Sequence, residues 1–461
     1  MSGLTGSEAK RKLVHVAVGT FAFLLRFLTW PQAALMAMLA LVFNLFLLPR
    51  IGGRGLWRTP DRERGFPIGI LLYPLAVLAL VLVFRHELWI AAAVWGVLAF
   101  GDGMATVVGM AAGGPRLPWN PAKGWAGSLA FVFFGALGAS VLLAWTLKLP
   151  MTASPRVLAV TVPLTVLCAL VESAPTTLDD NLTVPLAGAV VLPLLVHADP
   201  RGLAAIPDLP ARALTGVAAN AAIAGVAAVA GWMDRAGALS AVVIGTAITI
   251  GLGLPGLAVM VAFFVIGTAA TKLGYRIKAA RGIAQEKGGA RGWRNAWANG
   301  GVPALLALLA GAATGWPAED GPALLLTVAY AAAVATAAAD TCSSEVGKAY
   351  GRRTFLITTF RPVPPGTEGA VSLEGTMAGL AGGAVVAAVG VAVGLYSAPM
   401  AAVVAVAGLL GSLVESVVGT VAERKGWMGN DLLNAFNTAA GAGIAVGLAW
   451  TAGKIGWMTW S

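Results

Sequence analysis

Charge is what this chain has least of. Acidic and basic side chains make up 11% of its 461 residues, against 58% hydrophobic ones and a mean hydropathy of +0.81. Soluble domains carry about 25% charged residues, so a water-soluble globule is excluded. Histidine and cysteine are almost missing, at 3 and 2 residues. Cys168 and Cys342, both in apolar surroundings, offer neither a disulfide framework nor the ligand spacing of a zinc site. No G-x-x-x-x-G-K-[ST] occurs, which excludes a P-loop, and there is no H-E-x-x-H and no strand-flanked G-x-G-x-x-G. Any nucleotide must therefore be held by the hydrophobic part of the chain itself. Polar–apolar alternation is missing too, which excludes a transmembrane β-barrel.

What is abundant is continuous apolar sequence, in runs long enough to cross roughly 30 Å of hydrocarbon. The expected fold is all-α: a polytopic integral membrane protein of about fifteen transmembrane helices. They fall near 13–30, 32–48, 66–84, 88–111, 127–147, 156–173 and 183–197, then 213–231, 238–254, 256–272, 297–315, 322–346, 375–395, 400–421 and 433–453. Lys10, Arg11 and Lys12 precede the first run with no small-residue cleavage site behind it, so an uncleaved helix is expected there. A Pro-rich polar stretch at 197–212 suggests a boundary, with domains at 1–205 and 206–461. With the N-terminus in the cytoplasm, 24 of the 31 Lys and Arg residues fall in cytoplasmic segments, as the positive-inside rule requires. The net charge of +10 is then mostly topology, and no nucleic-acid partner is needed. A multi-pass cell (plasma) membrane protein with its polar motifs facing the cytoplasm is expected.

The two halves echo one another in order. Gly19-Thr20 and Gly245-Thr246 each precede a proline that opens the next helix. Asp102 stands seven residues before Gly109, and Asp340 seven before Gly347. The stretch 123–128 aligns with 371–376, Val171-Glu172-Ser173 with Val414-Glu415-Ser416, and Asp180-Asn181-Leu182 with Asn430-Asp431-Leu432. Matches in one order point to an internal repeat of about seven helices. The extra helix at 213–231 would leave the two copies parallel.

The acids within or at the ends of spans are Asp102, Glu172, Asp340, Glu345 and Glu415. Carboxylates near hydrocarbon cost at least about 2.5–3.5 kcal/mol and persist only with a partner, a water-filled cavity or a metal. Interhelical ion pairs are one outcome; a carboxylate site for Mg²⁺ is the other. Two loops bring the opposite charge, 50–64 with Arg62 and Arg64 among its five arginines, and 272–294 with Lys272 and Arg276 among its seven cations. Both lie beside glycine-rich turns, where backbone N–H groups approach anions closely; plain contact with anionic membrane lipids is the simpler account. Gly127-Ser128 and Gly375-Thr376 each begin a helix, a geometry suited to phosphate, and Lys123 precedes the first. His15 sits at the mouth of the first span, placed to serve as a base at an entry point for a lipid hydroxyl. Metal, basic loops and helix N-termini together suggest a membrane-surface site for a polyphosphate.

Arg11-Lys12-x-x-His15 with Gly19, Gly101-Asp102-x-x-Ala105 with Gly109, Lys123-Gly-Trp-Ala-Gly127-Ser128, and Asp180-Asn181-Leu182-Thr183-Val184-Pro185 resemble the phytol kinase and dolichol kinase family over about residues 8–197. The second half resembles the phytyl-phosphate kinase family over about 206–453. It does so through Thr271-Lys272-x-Gly274, Ala298-Asn299-Gly300-Gly301, Asp340-Thr-x-Ser343-Ser344-Glu345-x-Gly347, Val371-Ser372-Leu-Glu374-Gly375-Thr376, and Asn430-Asp431 with Asn434 and Asn437. The resemblance implies a fusion that converts an isoprenoid alcohol to its monophosphate and then to the diphosphate, with CTP as phosphoryl donor and Mg²⁺. On that reading His15 or Asp102 prepares the alcohol, Arg11, Lys12, Lys123 and Ser128 meet phosphates, and Asp102, Glu172 and Asp180 hold the metal. In the second half Asp340, Glu345, Glu415 and Asp431 do the metal work. Lys272, Arg276, Asn299, Ser343, Ser344, Ser372, Thr376 and Asn434 then meet the phosphates. A nucleotidyltransferase making a CDP-lipid, or a transporter, are the alternatives.

Overall fold

The computed structural model describes residues 6–51, 68–149, 155–197, 206, 208–313, 321–422 and 426–454. The described chain is helical almost throughout, the arrangement that lets every backbone N–H and C=O in lipid find a partner within its own segment. It divides into two compact units, residues 1–200 and 201–461.

In the first unit, α1 (Gly6–Gly19) tightens into a 3₁₀ segment at Thr20–Arg26. Helix α2 (Trp30–Val42) is opened by a Thr29–Gln32 capping box, and its end widens into a π turn at Phe43–Leu47. Then come α3 (Ile68–Val83), α4 (Leu88–Gly96) and α5 (Gly103–Ala112), the last two joined as one rod by a π turn at Val97–Asp102. Helices α6 (Trp125–Thr146), α7 (Pro155–Glu172) and α8 (Asp180–His197) complete the unit. The second unit holds α9 (Leu209–Val229), α10 (Arg235–Lys272), the short α11 (Tyr275–Ala280), α12 (Trp293–Ala312) and α13 (Pro322–Tyr350). Helices α14 (Leu373–Ala392), α15 (Ala398–Ala422) and α16 (Asn430–Lys454) follow. Ten helices are long and apolar enough to cross a membrane, with Ile68–Val83 and Asp180–Val196 shorter but apolar. The chain is a multi-pass integral membrane protein.

Three features refine the expected spans. The expected pair 238–254 and 256–272 is present as two helical segments that run on as α10 and meet at a kink where Gly253 takes φ 67° and ψ −163°. Pro255 lacks the N–H that would continue the ladder and its ring crowds the preceding turn; glycine supplies the left-handed residue that absorbs the bend. The first span starts earlier, at Gly6, and ends as 3₁₀ helix. Between α13 and α14, β1 (Thr354–Leu356) and β2 (Ala370–Ser372) pair antiparallel with Thr354 opposite Ser372. Three residues a side are too few to leave a periodic signal.

Each unit is built around one alanine-rich rod. Leu88–Ala112 in the first and Pro322–Tyr350 in the second are each 78% buried over their apolar window. Lipid tails are as apolar as leucine, so helices associate in membranes through close packing of small residues. Two close approaches fall at echoed glycines. A side-chain carbon on Gly127 of α6 would lie 3.0 Å from the Ala105 carbonyl oxygen and 3.6 Å from Gly109 Cα. One on Gly375 of α14 would lie 2.7 Å from the Ser343 carbonyl oxygen and 3.3 Å from Gly347 Cα. The glycine seven residues beyond the rod's aspartate thus seats the next helix in both units.

Candidate functional site

In the first unit the polar centre forms where the π turn ends. That turn adds a residue to the rod and delivers Asp102 at its last position, buried; π turns of this kind recur at functional sites. Lys12 of α1, also buried, reaches across with Nζ 2.8 Å from Asp102 Oδ2. His15, one turn on, places Nε2 3.5 Å from the same oxygen and 3.1 Å from the Leu98 carbonyl. Both neighbours of Nε2 are acceptors, so Nε2 carries a proton, and in the neutral ring the lone pair is then on Nδ1. The ring also packs edge-on against Tyr73 at 4.5 Å between centroids, and Tyr73 accepts a 2.8 Å bond from Trp95 Nε1.

The second wall comes from the loop before α6. Gly113 and Gly114, at φ 62° and 95°, turn the chain back after α5. Trp119 Nε1 and Asn120 Nδ2 then fix the loop to the end of α7, donating to Ser173 Oγ and Ser173 O at 3.1 Å each. This sets Lys123 beside Glu172 Oε1 at 2.5 Å and Asp180 Oδ2 at 3.6 Å, and its ammonium also donates to the Glu172 carbonyl. Burial works against the charge of Lys123, but the Asp180 and Glu172 carboxylates outweigh it and hold its pKa above the ordinary lysine value. Carboxylate oxygens of Asp102, Glu172 and Asp180 all lie within 4.8 Å of one another. Asn181 Oδ1 and Thr183 Oγ1, beside Asp180, are buried with no hydrogen-bond partner. Three hard oxygen donors, so gathered and flanked by unsatisfied acceptor oxygens, are a donor set that fits a Mg²⁺-bound polyphosphate. Arg11 is half-buried one residue before Lys12, and Ser128 lies half-buried in the first turn of α6. Arg62 and Arg64 lie outside the described residues.

In the second unit the acids are spread out. Asp340 stands on α13 within hydrogen-bonding reach of Glu415 on α15, and Asn437 of α16 donates to Glu415 Oε2 at 2.6 Å. Asn437 Oδ1 is left buried without a partner. Glu345 is turned elsewhere: the fully buried Lys278 donates to its Oε2, and Gln285 Nε2 to its Oε1 at 3.0 Å. Asp431 begins α16, half-buried, and Asn434 is buried one turn later. The expected quartet Asp340, Glu345, Glu415 and Asp431 therefore does not gather as a three-ligand group among the described residues. A lysine and an amide already neutralise Glu345.

The expected phosphate ligands divide likewise. Ser372 caps α14, accepting from Gly375 N at 3.1 Å, while Ser343 Oγ donates to the Gly375 carbonyl and Ser344 Oγ to Thr341 O. Ser343 thus joins α13 to α14, Ser344 bonds within α13 and Ser372 caps its own helix, with Thr376 half-buried in the first turn. Asn299 is buried and donates to the Asn295 carbonyl at 3.1 Å. Lys272 and Arg276 are exposed, the first over the Trp232 ring at 4.9 Å. Lys278, two residues beyond Arg276, holds the buried position instead. Gly274 takes φ 63° and turns α11 back, so Lys278 Nζ donates to Thr271 O at 2.8 Å. That glycine was the available signal.

The family model described as Integral membrane protein DUF92 matches residues 218–442. An uncharacterized membrane protein of Synechocystis sp. is 43% identical over 211 residues, 46% of this chain and 80% of the relative. Protein VTE6, chloroplastic, of Arabidopsis thaliana is 37% identical over 217 residues, 46% of this chain and 64% of the relative. Phytol kinase 1, chloroplastic, from the same plant is 33% identical over 201 residues, 38% of this chain and 63% of the relative. The aligned part of the chain thus spans a little under two-thirds of either plant protein. No solved structure matches the chain. By the model match within the second unit and the similarity to the Synechocystis protein over most of that protein's length, the chain belongs to the family of integral membrane proteins described as DUF92.

Proposed function

We propose that the chain is a lipid kinase with two centres: the first unit phosphorylates an isoprenoid alcohol and the second extends the monophosphate to the diphosphate. The observation that carries this reading is the meeting of Asp102, Glu172 and Asp180 with His15 in the first unit. Similarity to a protein named phytol kinase supports the alcohol as acceptor. The nucleotide is CTP on the resemblance of the motifs, and the sites face the cytoplasm on the distribution of Lys and Arg.

A cavity of about 150 Å³, lined by Phe21, Leu25, Met36, Tyr73, Val77 and Trp95 among others, suits the apolar chain of the alcohol. Tyr73 separates it from His15 by a single ring contact. A hydroxyl at that end meets His15 Nδ1, which takes its proton as the oxygen attacks the terminal phosphorus, the bond to the bridging oxygen breaks and the nucleoside diphosphate leaves. Asp102 and the Leu98 carbonyl orient the imidazole and favour the imidazolium that forms. Lys12 and Lys123 neutralise the three carboxylates and are placed to turn toward the transferred phosphoryl group. A Mg²⁺ held by Asp102, Glu172 and Asp180 would draw charge from the nucleotide's phosphate oxygens. In the second unit the acceptor is a phosphate, already a nucleophile, and no described histidine stands there; Asp340 and Glu415 with Asn437 are the corresponding polar centre.

The test is purified full-length protein with a twenty-carbon isoprenoid alcohol and each nucleoside triphosphate in turn. Mono- and diphosphorylated lipid with release of CDP is the expected result. Release of pyrophosphate with a CDP-lipid product would replace the kinase by a nucleotidyltransferase.

A further inference from the structure

An arginine that forms no ion pair among the described residues lines an apolar cavity in the second unit. The cavity, about 80 Å³, is lined by Ile244, Leu257, Met260, Val261 and Phe264, with Asn220, Asn295, Asn299 and Arg291 as its polar members. The backbone of Arg291 is pinned ahead of α10, its N–H donating to Trp232 O at 2.9 Å and its carbonyl accepting from Asp234 N at 3.2 Å. Its side chain runs to the other half of α10, with the guanidinium 5.0 Å from the Phe263 ring centre and against Gly267, where a side-chain carbon would meet Nη2. The kink at Gly253 is what brings both halves of α10 to one residue.

The other contact of that guanidinium is a long one, 3.5 Å from Nη1 to Asn295 Oδ1. Among the described residues it forms no ion pair, whereas Lys12, Lys123 and Lys278 each do. A cation set in an apolar wall without a counter-charge is costly unless an anion comes to it. An arginine fork matches phosphate oxygens in bidentate fashion. The acid whose charge is felt at Arg291 is Glu345, and that carboxylate is already paired with Lys278. The cavity is smaller than a pocket for a whole drug-sized ligand; it admits the part of a chain nearest its headgroup and leaves the rest to the bilayer.

We propose that Arg291 binds the phosphate of an isoprenoid monophosphate whose first chain carbons enter the cavity beside Ile244 and Phe264, which makes it the acceptor-recognising residue of the second unit. This rests on the two-centre reading for the identity of the ligand, but not for the existence of the site. The test is direct binding of a radiolabelled twenty-carbon isoprenyl monophosphate to full-length protein in nanodiscs, without nucleotide. Arg291→Gln is expected to weaken binding roughly 10- to 100-fold, the loss of a hydrogen-bonded charge contact. Arg291→Lys should recover part of it, and Ala241→Phe, at a residue that also lines the cavity, fills it while leaving the cation and should weaken binding as well. The parent alcohol, inorganic phosphate and phosphatidate should compete poorly. Unchanged affinity in Arg291→Gln, with a melting temperature equal to wild type, overturns the proposal, as does equal competition by phosphatidate. Arg291-dependent binding without diphosphate formation would keep this site and remove the kinase reading.

Discussion

The two units share a frame and differ in charge. Each has an alanine-rich central rod, an aspartate in its polar half, and a glycine seven residues on against which the next helix closes. Around that frame the first unit collects three carboxylates, two lysines and a histidine. The second spreads its acids into an Asp340–Glu415 pair and a neutralised Glu345, and sets beside an apolar cavity the Arg291 guanidinium, which forms no ion pair among the described residues. A hydroxyl needs a base before it attacks, whereas a phosphate needs a cation to hold it; the charge placement differs along that line.

The largest effect that sharpens this comparison belongs to His15. His15→Asn should lower phosphorylation of the alcohol by about 10²- to 10⁴-fold, the range for a lost general base, while conversion of supplied monophosphate stays at the wild-type rate. Assay of both steps on one preparation decides it, and equal loss in both would break the division of labour. Next comes the buried ion pair of the second unit. Lys278→Met strands Glu345 and should cost about 3–5 kcal/mol of stability, read as a lower denaturation midpoint; adding Glu345→Gln should return most of it. If the double variant is no better than the single one, Lys278 acts through its carbonyl contacts alone. Closing the glycine contacts should cost less, with Gly375→Val and Gly127→Val each expected to destabilise by about 1–3 kcal/mol as overpacked sites. A loss at only one of them would mean that the shared frame is not shared in energy.

The smallest effect concerns Lys123. Its pKa is higher in the folded chain than in the unfolded one, so its stabilising contribution is complete below the ordinary lysine value of about 10.4 and fades as pH rises through the elevated one. The melting temperatures of wild type and Lys123→Met should differ at neutral pH and converge only in strong alkali. Convergence already near pH 9 would contradict the pairing.

Helix placement was legible because hydropathy reports it directly, and the joint 238–254/256–272 was visible because Gly253 and Pro255 break the helix there. Asp102, Glu172 and Asp180 were legible as a set because acids near hydrocarbon are rare and their order was echoed downstream. Which cation of a crowded loop turns inward was not. Lys272 and Lys278 differ in nothing that hydropathy measures, and the choice rests on the left-handed Gly274 that swings α11 back onto α13. Arg291 was hidden for the same reason, since its place against Phe263 and Gly267 depends on a kink at Gly253, far earlier in the chain. The hairpin of β1 and β2 left too short a pattern to read.

The central claim is that each unit carries its own phosphoryl-transfer step. Its most direct test is a crossed product assay of Asp102→Asn and Asp340→Asn in full-length protein, each supplied with the alcohol and, separately, with the monophosphate. Asp102→Asn should fail on the alcohol yet convert the monophosphate to diphosphate, and Asp340→Asn should accumulate monophosphate from the alcohol and convert none that is supplied. Loss of the same step in both variants, or diphosphate formed by Asp340→Asn at the wild-type rate, would contradict the account.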